Sequence, residues 1–282
     1  MKRTTNILCI IGPTASGKSS RAVEEAKVRG GEIVSVDSRQ VYRGLDIGTE
    51  KTTREEMKGV PHHLIDIREP HESYSAGDFV TDASKLIEEI AARGNVPILA
   101  GGTHFYFDAL LNGLPRPLSH RTVPYMELSA KTNEELYAEI KILDLRRALE
   151  LDPNNRRRLI RALELIAAYG TVPPRTPPKE SYAVEWIVIN PEMEELTKRI
   201  EKRLQAALSR GLVDEVKTTR NRVGDTRLNE LGLEYKIVGE YLRGELPEEK
   251  LFPKLLSRLR QYARRQKAWI RKLTTETRTR SN

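Results

Sequence analysis

Cysteine is almost missing from this chain: Cys9 is the only one in 282 residues. A single thiol excludes an internal disulfide framework and a cysteine-based zinc site, and it suits a reducing compartment. Long apolar runs are missing too, and none approaches the roughly 18 residues of a membrane-crossing helix. Met1, Lys2 and Arg3 imitate the basic start of a secretion signal. The apolar run behind them, Ile7 to Ile11, stops at Gly12-Pro13, short of the roughly 7–15 residues such a signal needs. Internal repeats and low-complexity tracts are absent as well. What remains is a composition that is 38% hydrophobic, enough for a core. The expectation is a cytoplasmic globular protein with no membrane partner, built as one large domain or two smaller ones.

The charge is unevenly placed. Residues 1–113 carry 14 basic and 16 acidic side chains, whereas residues 114–282 carry 34 and 24, which puts all of the formal +8 in the second part. Such asymmetry fits a polyanionic partner or a set of solvated basic helices.

The apolar run Ile7–Ile11 has the texture of a buried strand, and Ser20–Arg29 reads as a helix closed by Gly30-Gly31. Glu32–Val36 is a second strand, His63–Ile67 a third candidate and Val96–Ala100 another, with a helix expected over Asp78–Arg93. Strands alternating with helices predict βαβ units and a parallel sheet. After Gly113 the texture changes. Leu114–Pro124 is Pro-rich and irregular, and Pro173-Pro174 and Pro177-Pro178 mark a connector. Helices are expected over Asn133–Leu151, Arg156–Tyr169, Glu192–Arg210 and Lys254–Leu273, with a late strand over Tyr182–Ile189 rejoining the sheet.

Gly12-Pro13-Thr14-Ala15-Ser16-Gly17-Lys18-Ser19 fits G-x-x-x-x-G-K-[ST] between an apolar strand and a helix. In that context glycines let backbone N–H groups turn toward phosphate oxygens, Lys18 adds a point charge and Ser19 can ligate Mg²⁺. The loop signals a di- or triphosphate without saying which: nucleotide kinases, ATP-binding NTPases and diphosphate-using transferases all carry it. Asp37 follows the second strand, at the edge where parallel-sheet sites form, so it suits a general base or a water-mediated Mg²⁺ contact, or simply caps a turn. Gly101-Gly102-Thr103 should reach the same edge or form a plain turn. His62-His63 lacks a second ligand pair, which favours a hydrogen-bonding role, and Cys9 falls inside the first strand, in the core.

Two basic segments stand out. Arg156-Arg157-Arg158-Leu159-Ile160-Arg161 places four Arg in six residues at a helix start, and Lys254–Lys272 carries eight basic side chains and no acid, with Tyr262 and Trp269 interleaved. Unpaired positive charge of this density suits a phosphate backbone or a solvated face.

Taken together, GPTASGKS (12–19), DSRQVYRGLDIGTEK (37–51), PHHLID (61–66), YSAGDF (74–79), PILAGGTHFY (97–106), NRRRLIRALE (155–164), RIEKR (199–203) and YARRQKAWIR (262–271) resemble the tRNA dimethylallyltransferase (tRNA isopentenyltransferase) family, in family order from the first strand to the last helix. The resemblance implies an α/β fold: a P-loop NTPase-like parallel sheet flanked by helices. Residues 1–113 would form the first part of the core. Residues 114–172 would form a helical tRNA-binding insertion, shortened here, and 173–282 would complete the core and add basic helices.

It also implies a reaction, transfer of a dimethylallyl group from dimethylallyl diphosphate to N6 of adenosine 37, beside the anticodon of tRNAs that read codons beginning with U. Asp37 would be the general base, with Thr14 and Lys18 at the leaving oxygen. Gly12, Pro13, Thr14, Ala15, Ser16, Gly17, Lys18, Ser19 and Arg203 would hold diphosphate, with Mg²⁺ on Ser19. Asp37, Ser38, Arg39, Gln40, Thr103, Arg157, Arg158, Leu159, Ile160 and Arg161 would meet the anticodon stem-loop, and the C-terminal basic helix would follow the backbone. Nothing demands more than a monomer. One departure is that the family's Gly-Tyr-Lys-Glu-like stretch reads Leu231-Gly232-Leu233-Glu234-Tyr235-Lys236 here. Competing readings are an adenylate (free-nucleotide) isopentenyltransferase or P-loop small-molecule kinase, and a non-catalytic RNA-binding protein with a relic loop.

Overall fold

The computed structural model describes residues 4–116, 125–178 and 180–278, with 125–126 and 272–278 described by backbone alone. The basic start 1–3 and most of the Pro-rich stretch 114–124 lie outside the described residues. The chain divides into two compact units, residues 1–111 with 179–282 and residues 112–178.

The first unit is organised by β1 (Thr4–Ile11). Its apolar residues serve both faces of a sheet: Ile7, Cys9 and Ile11 pack into one cluster, Leu8 and Ile10 into another. That is the pattern of a central strand covered on both sides. The remaining elements of the first half are α1 (Lys18–Arg29), β2 (Gly31–Ser35), α2 (Arg54–Met57), β3 (His62–His63), α3 (Ala76–Ala92), β4 (Val96–Gly101) and α4 (His104–Asn112). After the second unit the chain returns as β7 (Ser181–Val188), α9 (Met193–Ser209), α10 (Leu212–Leu228), α11 (Leu233–Leu242) and α12 (Glu248–Arg278). The five strands are all parallel, in the order β3-β2-β4-β1-β7. Ile11 is in register with both Gly101 and Val188, and Ser35 with Ala100. This alignment brings four strand ends to one edge, where ligands of such sheets bind.

The expected third strand is shorter than its pattern suggested. Pairing stops at His63 because Leu64 and Asp66 take left-handed backbone, φ 61° and 55°, which turns the chain away from β2. Helix α3 begins at Ala76 rather than Asp78, since the Ser75 hydroxyl accepts the Asp78 N–H and the Asp78 carboxylate accepts the Ser75 N–H. Helix α12 starts six residues before the expected Lys254 and carries Pro253 inside it, forgoing one backbone bond. Helices α4, α10 and α11 have no counterpart in the sequence reading. Their apolar residues face the large cluster that also holds Leu196, Ile200, Tyr235, Leu255 and Leu259.

The second unit contains β5 (Leu114–Pro115), α5 (Tyr125–Ala130), α6 (Asn133–Leu143), α7 (Leu145–Glu150), α8 (Arg156–Tyr169) and β6 (Arg175–Thr176), with β5 and β6 antiparallel. The helix expected over Asn133–Leu151 is two helices. Asp144 leaves the helical region (φ −150°, ψ 81°) and its carboxylate accepts the Arg147 N–H at 2.9 Å, so it ends α6 and caps α7. Leu136, Ile140, Leu159, Leu163 and Ile166 make this unit's own core.

Candidate active site

The phosphate loop leaves β1 at Ile11 and enters α1 at Lys18. Ala15 and Gly17 both have left-handed backbone, φ 60° and 91°, which turns successive N–H groups toward one side and forms an anion-binding concavity. A side chain at Gly12 would stand 2.5 Å from the Ser16 Oγ and 2.7 Å from the Ile189 carbonyl, so the chain can pass here only without one. The amides of Gly17, Lys18 and Ser19 head α1, where a helix has no internal acceptor for them. The Thr14 N–H is already engaged, donating to Gln266 Oε1 at 2.8 Å, and the Ser16 N–H turns back to the Pro13 carbonyl at 3.3 Å. Pro13 is buried and Ser19 is exposed at the helix start.

Lys18 is half-buried, with Nζ 3.4 Å from the Pro13 carbonyl. Burial pushes its ammonium down to about 8; Asp37 opposes that shift and Arg203 adds to it. Lys18, Asp37 and Arg203, 185 residues apart at the extremes, are thus one electrostatic group. Arg203 sits on α9 with Nε 3.7 Å from Glu50, which also pairs with Arg210 at 3.3 Å. Arg199, one turn earlier, donates to the Ser16 carbonyl at 3.2 Å. The RIEKR stretch therefore aims two guanidiniums at this edge, and only the second was anticipated. Their spacing of four on a helix was the available signal.

Asp37 follows β2. Its Oδ1 accepts the N–H groups of Arg39 at 2.8 Å and Gln40 at 3.3 Å. The neighbouring Gly-Gly-Thr turn is stitched to it: the Thr103 N–H reaches the Val36 carbonyl at 3.1 Å, and the Thr103 Oγ1 accepts the Ser38 N–H at 3.1 Å. A side chain at Gly101 would overlap the Val36 carbonyl at 2.0 Å, so this close approach of β4 to β2 depends on glycine. Gln40 turns inward. Its amide donates to the carbonyls of Thr49 and Glu50 at 3.3 and 3.1 Å and accepts from the Ser35 Oγ at 3.2 Å. In this structure it braces the 46–50 loop.

That loop is fastened a second time. Glu215 of α10 accepts the N–H groups of Asp46, Ile47 and Gly48 at 2.9, 2.7 and 2.9 Å, and the Tyr235 hydroxyl at 2.6 Å. Lys51 donates to the Tyr42 carbonyl and to the carboxylates of Asp46 and Asp66. Much of the 37–51 motif is therefore scaffolding around one carboxylate. Glu234, at the first turn of α11, is a further carboxyl in this group. Burial pushes it up to about 7, Arg203 opposes the shift, and Asp37 and Glu50 add to it. Partial burial, then the Asp37 and Glu234 carboxylates, push the Tyr262 hydroxyl of α12 up, while Arg39 and Arg265 oppose the shift. His104, buried at the start of α4, has an unpartnered Nε2, and burial, then Lys18, holds it down to about 4, so it is neutral.

His62 and His63 are held by hydrogen bonds, to the Val60 carbonyl at 2.8 Å and to Glu32 at 2.6 Å. Cys9 is fully buried in β1, and burial pushes its thiol up. Among the described residues no three His, Cys, Asp or Glu converge on a cation position.

In the second unit, the Arg cluster divides by face. Leu159 and Ile160 are 0% and 5% exposed and belong to the core, which corrects their expected place at an RNA surface: helical spacing turns them inward. Arg157 and Arg158 are exposed, and Arg161 is exposed but pairs with Glu164 at 2.9 Å. Arg156 instead binds Asn133 and the Ser129 carbonyl.

This chain matches, over residues 40–273, the family described as IPP transferase. It is 38% identical over 281 residues to the tRNA dimethylallyltransferase of Thermomicrobium roseum, covering 97% of this chain and 85% of that one. It is 41% identical to that of Halorhodospira halophila, covering 95% and 90%. Among solved structures, the tRNA isopentenylpyrophosphate transferase of Bacillus halodurans superposes with a TM-score of 0.72 at 38% identity, over 95% of this chain and 87% of that one. A eukaryotic dimethylallyltransferase acting on tRNA gives 0.79 at 28% identity, over 95% and 70%. With the family match spanning most of its length and relatives this similar over nearly all of it, the chain belongs to the IPP transferase family.

Proposed function

We propose that this enzyme transfers the dimethylallyl group of dimethylallyl diphosphate to N6 of adenosine 37 in tRNA and releases diphosphate. The observation that carries the reading is the meeting, at one sheet edge, of the phosphate loop after β1, Asp37 after β2 and the Gly-Gly-Thr turn after β4: a carboxylate beside an anion-binding cradle. The amino group of adenine is a weak nucleophile, because its lone pair is delocalised into the ring. The N6–C1 bond forms as the C1–O bond breaks, the electron pair leaves with diphosphate, and the N6 proton passes to Asp37. Lys18, Arg203, Arg199 and the amides heading α1 neutralise the growing charge. Thr14 stands by the leaving oxygen.

The exposed Ser19 hydroxyl at the loop mouth fits Mg²⁺, which retains most of its waters and binds through one or two protein oxygens plus substrate phosphate. The metal would supply further charge neutralisation on diphosphate. No nucleotide hydrolysis is required. The target base must leave its stack to reach Asp37, and Ser38, Arg39 and Thr103 line the rim beside it. Arg157 and Arg158 stand where the amides of α8 already favour an anion, suiting them to a stem phosphate, and the exposed Arg264 and Arg265 of α12 would follow the backbone. The chain would act as a monomer in the cytoplasm.

The deciding experiment mixes protein, Mg²⁺, labelled dimethylallyl diphosphate and unmodified tRNA with adenosines at 36, 37 and 38, followed by nucleoside digestion and mass spectrometry. N6-dimethylallyladenosine that disappears in an A37→G tRNA is expected. Efficient transfer to AMP, ADP or ATP without tRNA would overturn the reading in favour of a free-nucleotide transferase.

A further inference from the structure

Gln266 lies on α12, far along the chain from the phosphate loop, yet its side chain joins the two loops that make the diphosphate cradle. It is 4% exposed. Oε1 accepts the Thr14 N–H at 2.8 Å and Nε2 donates to the Gly102 carbonyl at 2.9 Å. The amide can be oriented only one way, because the reverse would set a donor against N–H and an acceptor against C=O. The fit is close: a Cβ at Gly102 would stand 2.7 Å from Nε2 and 3.7 Å from Lys18 Nζ. Gly102 therefore has both the bridging Gln266 amide and the cradle's cation Lys18 as close neighbours.

We propose that Gln266 is a positioning residue for diphosphate. It touches no reacting atom. It sets the separation of the phosphate loop from the Gly-Gly-Thr turn, and so the place of Lys18, through Thr14 and Gly102. A loop held by its own local turns could shift its first amides relative to β4, and a single buried amide satisfied at both ends removes that freedom. The carboxamide carries a donor and an acceptor on one head and so joins an N–H to a C=O, which an apolar side chain of the same length cannot do. The inference rests on the diphosphate reading above.

The test is calorimetric titration of the full-length protein with Mg²⁺ and inorganic diphosphate, together with KM for each substrate and thermal midpoints. In Gln266→Met, which keeps the side-chain length and removes both bonds, diphosphate binding should weaken roughly tenfold or more. KM for dimethylallyl diphosphate should rise in parallel while KM for tRNA stays within about twofold. If that variant does not fold, Gln266→Glu is read instead. It restores donor and acceptor only when protonated, so its affinity relative to wild type should improve as pH falls from 8 to 5.5. Wild-type affinity in the folded Met variant, or a pH-independent ratio in the Glu variant, would overturn the assignment and leave Gln266 as ordinary packing. Wild-type protein that binds no Mg²⁺-diphosphate would overturn the diphosphate reading, and this inference with it.

Discussion

Tyr235 donates its hydroxyl to Glu215 at 2.6 Å, and the same carboxylate holds the three consecutive N–H groups of Asp46, Ile47 and Gly48. A carboxylate accepting four bonds anchors the loop that presents Glu50 to Arg203. In Glu215→Gln one carboxylate oxygen becomes an NH₂ facing backbone N–H groups, donor against donor. The expected loss is about 2–4 kcal/mol of unfolding free energy, against about 1.5–3 for Tyr235→Phe, which removes one bond to a charged acceptor. Chemical denaturation checks both, and a larger loss in Tyr235→Phe than in Glu215→Gln would contradict the geometry.

The pH profile should report Lys18. Its folded value is down to about 8, so the free enzyme keeps the ammonium below pH 8 and loses it above. kcat/KM for dimethylallyl diphosphate should therefore fall as pH rises through about 8, and Lys18→Met should lack that limb. Bound diphosphate favours the ammonium, which moves the corresponding limb of kcat to higher pH.

Asp37→Asn should lower kcat by roughly 10²–10⁴-fold, the usual contribution of a general base, while leaving diphosphate affinity within severalfold at pH 7. Because the Asp37 charge raises the Lys18 value, the same substitution should shift the alkaline limb of diphosphate binding to lower pH. Equal turnover in wild type and variant would remove Asp37 from the chemistry.

For RNA binding, Arg157→Ala and Arg158→Ala should each reduce the slope of log affinity against log salt by about 0.7–0.9, one phosphate contact apiece. Leu159→Ala should leave that slope alone and cost about 2–5 kcal/mol of stability, since Leu159 is a core residue. Filter binding at several salt concentrations separates the two effects.

Acid stability should depend on Glu32. Arg93 first, then Asn95 and His63, hold its carboxyl down to about 2 against the opposing effect of burial. A carboxyl depressed on folding stabilises the protein above its unfolded value, about 4.3, and that stability is lost as pH falls from about 5 toward 2. Glu32→Gln should flatten this part of the curve, measured as unfolding free energy against pH.

Where a residue's role depends on its immediate neighbours in sequence, the chain alone determined it. The run Ile7–Ile11, the phosphate loop and the following amphipathic helix specify strand, cradle and helix by local pattern, and a strand end places Asp37 at the same edge. Arg156–Tyr169 is a helix at the expected bounds, because its apolar spacing and its Asn155 cap agree. Tertiary structure decided the rest. Leu64 and Asp66 ended a strand that apolarity would have continued, and Asp144 cut one helix into two. Gln266, Glu215 and Arg199 act on loops more than a hundred residues away, and a buried amide or carboxylate carries no periodic mark of its distant partner. Their functions come from satisfying backbone groups that only folding brings near, which is why the motif residues were legible one by one while the scaffold that aligns them was not.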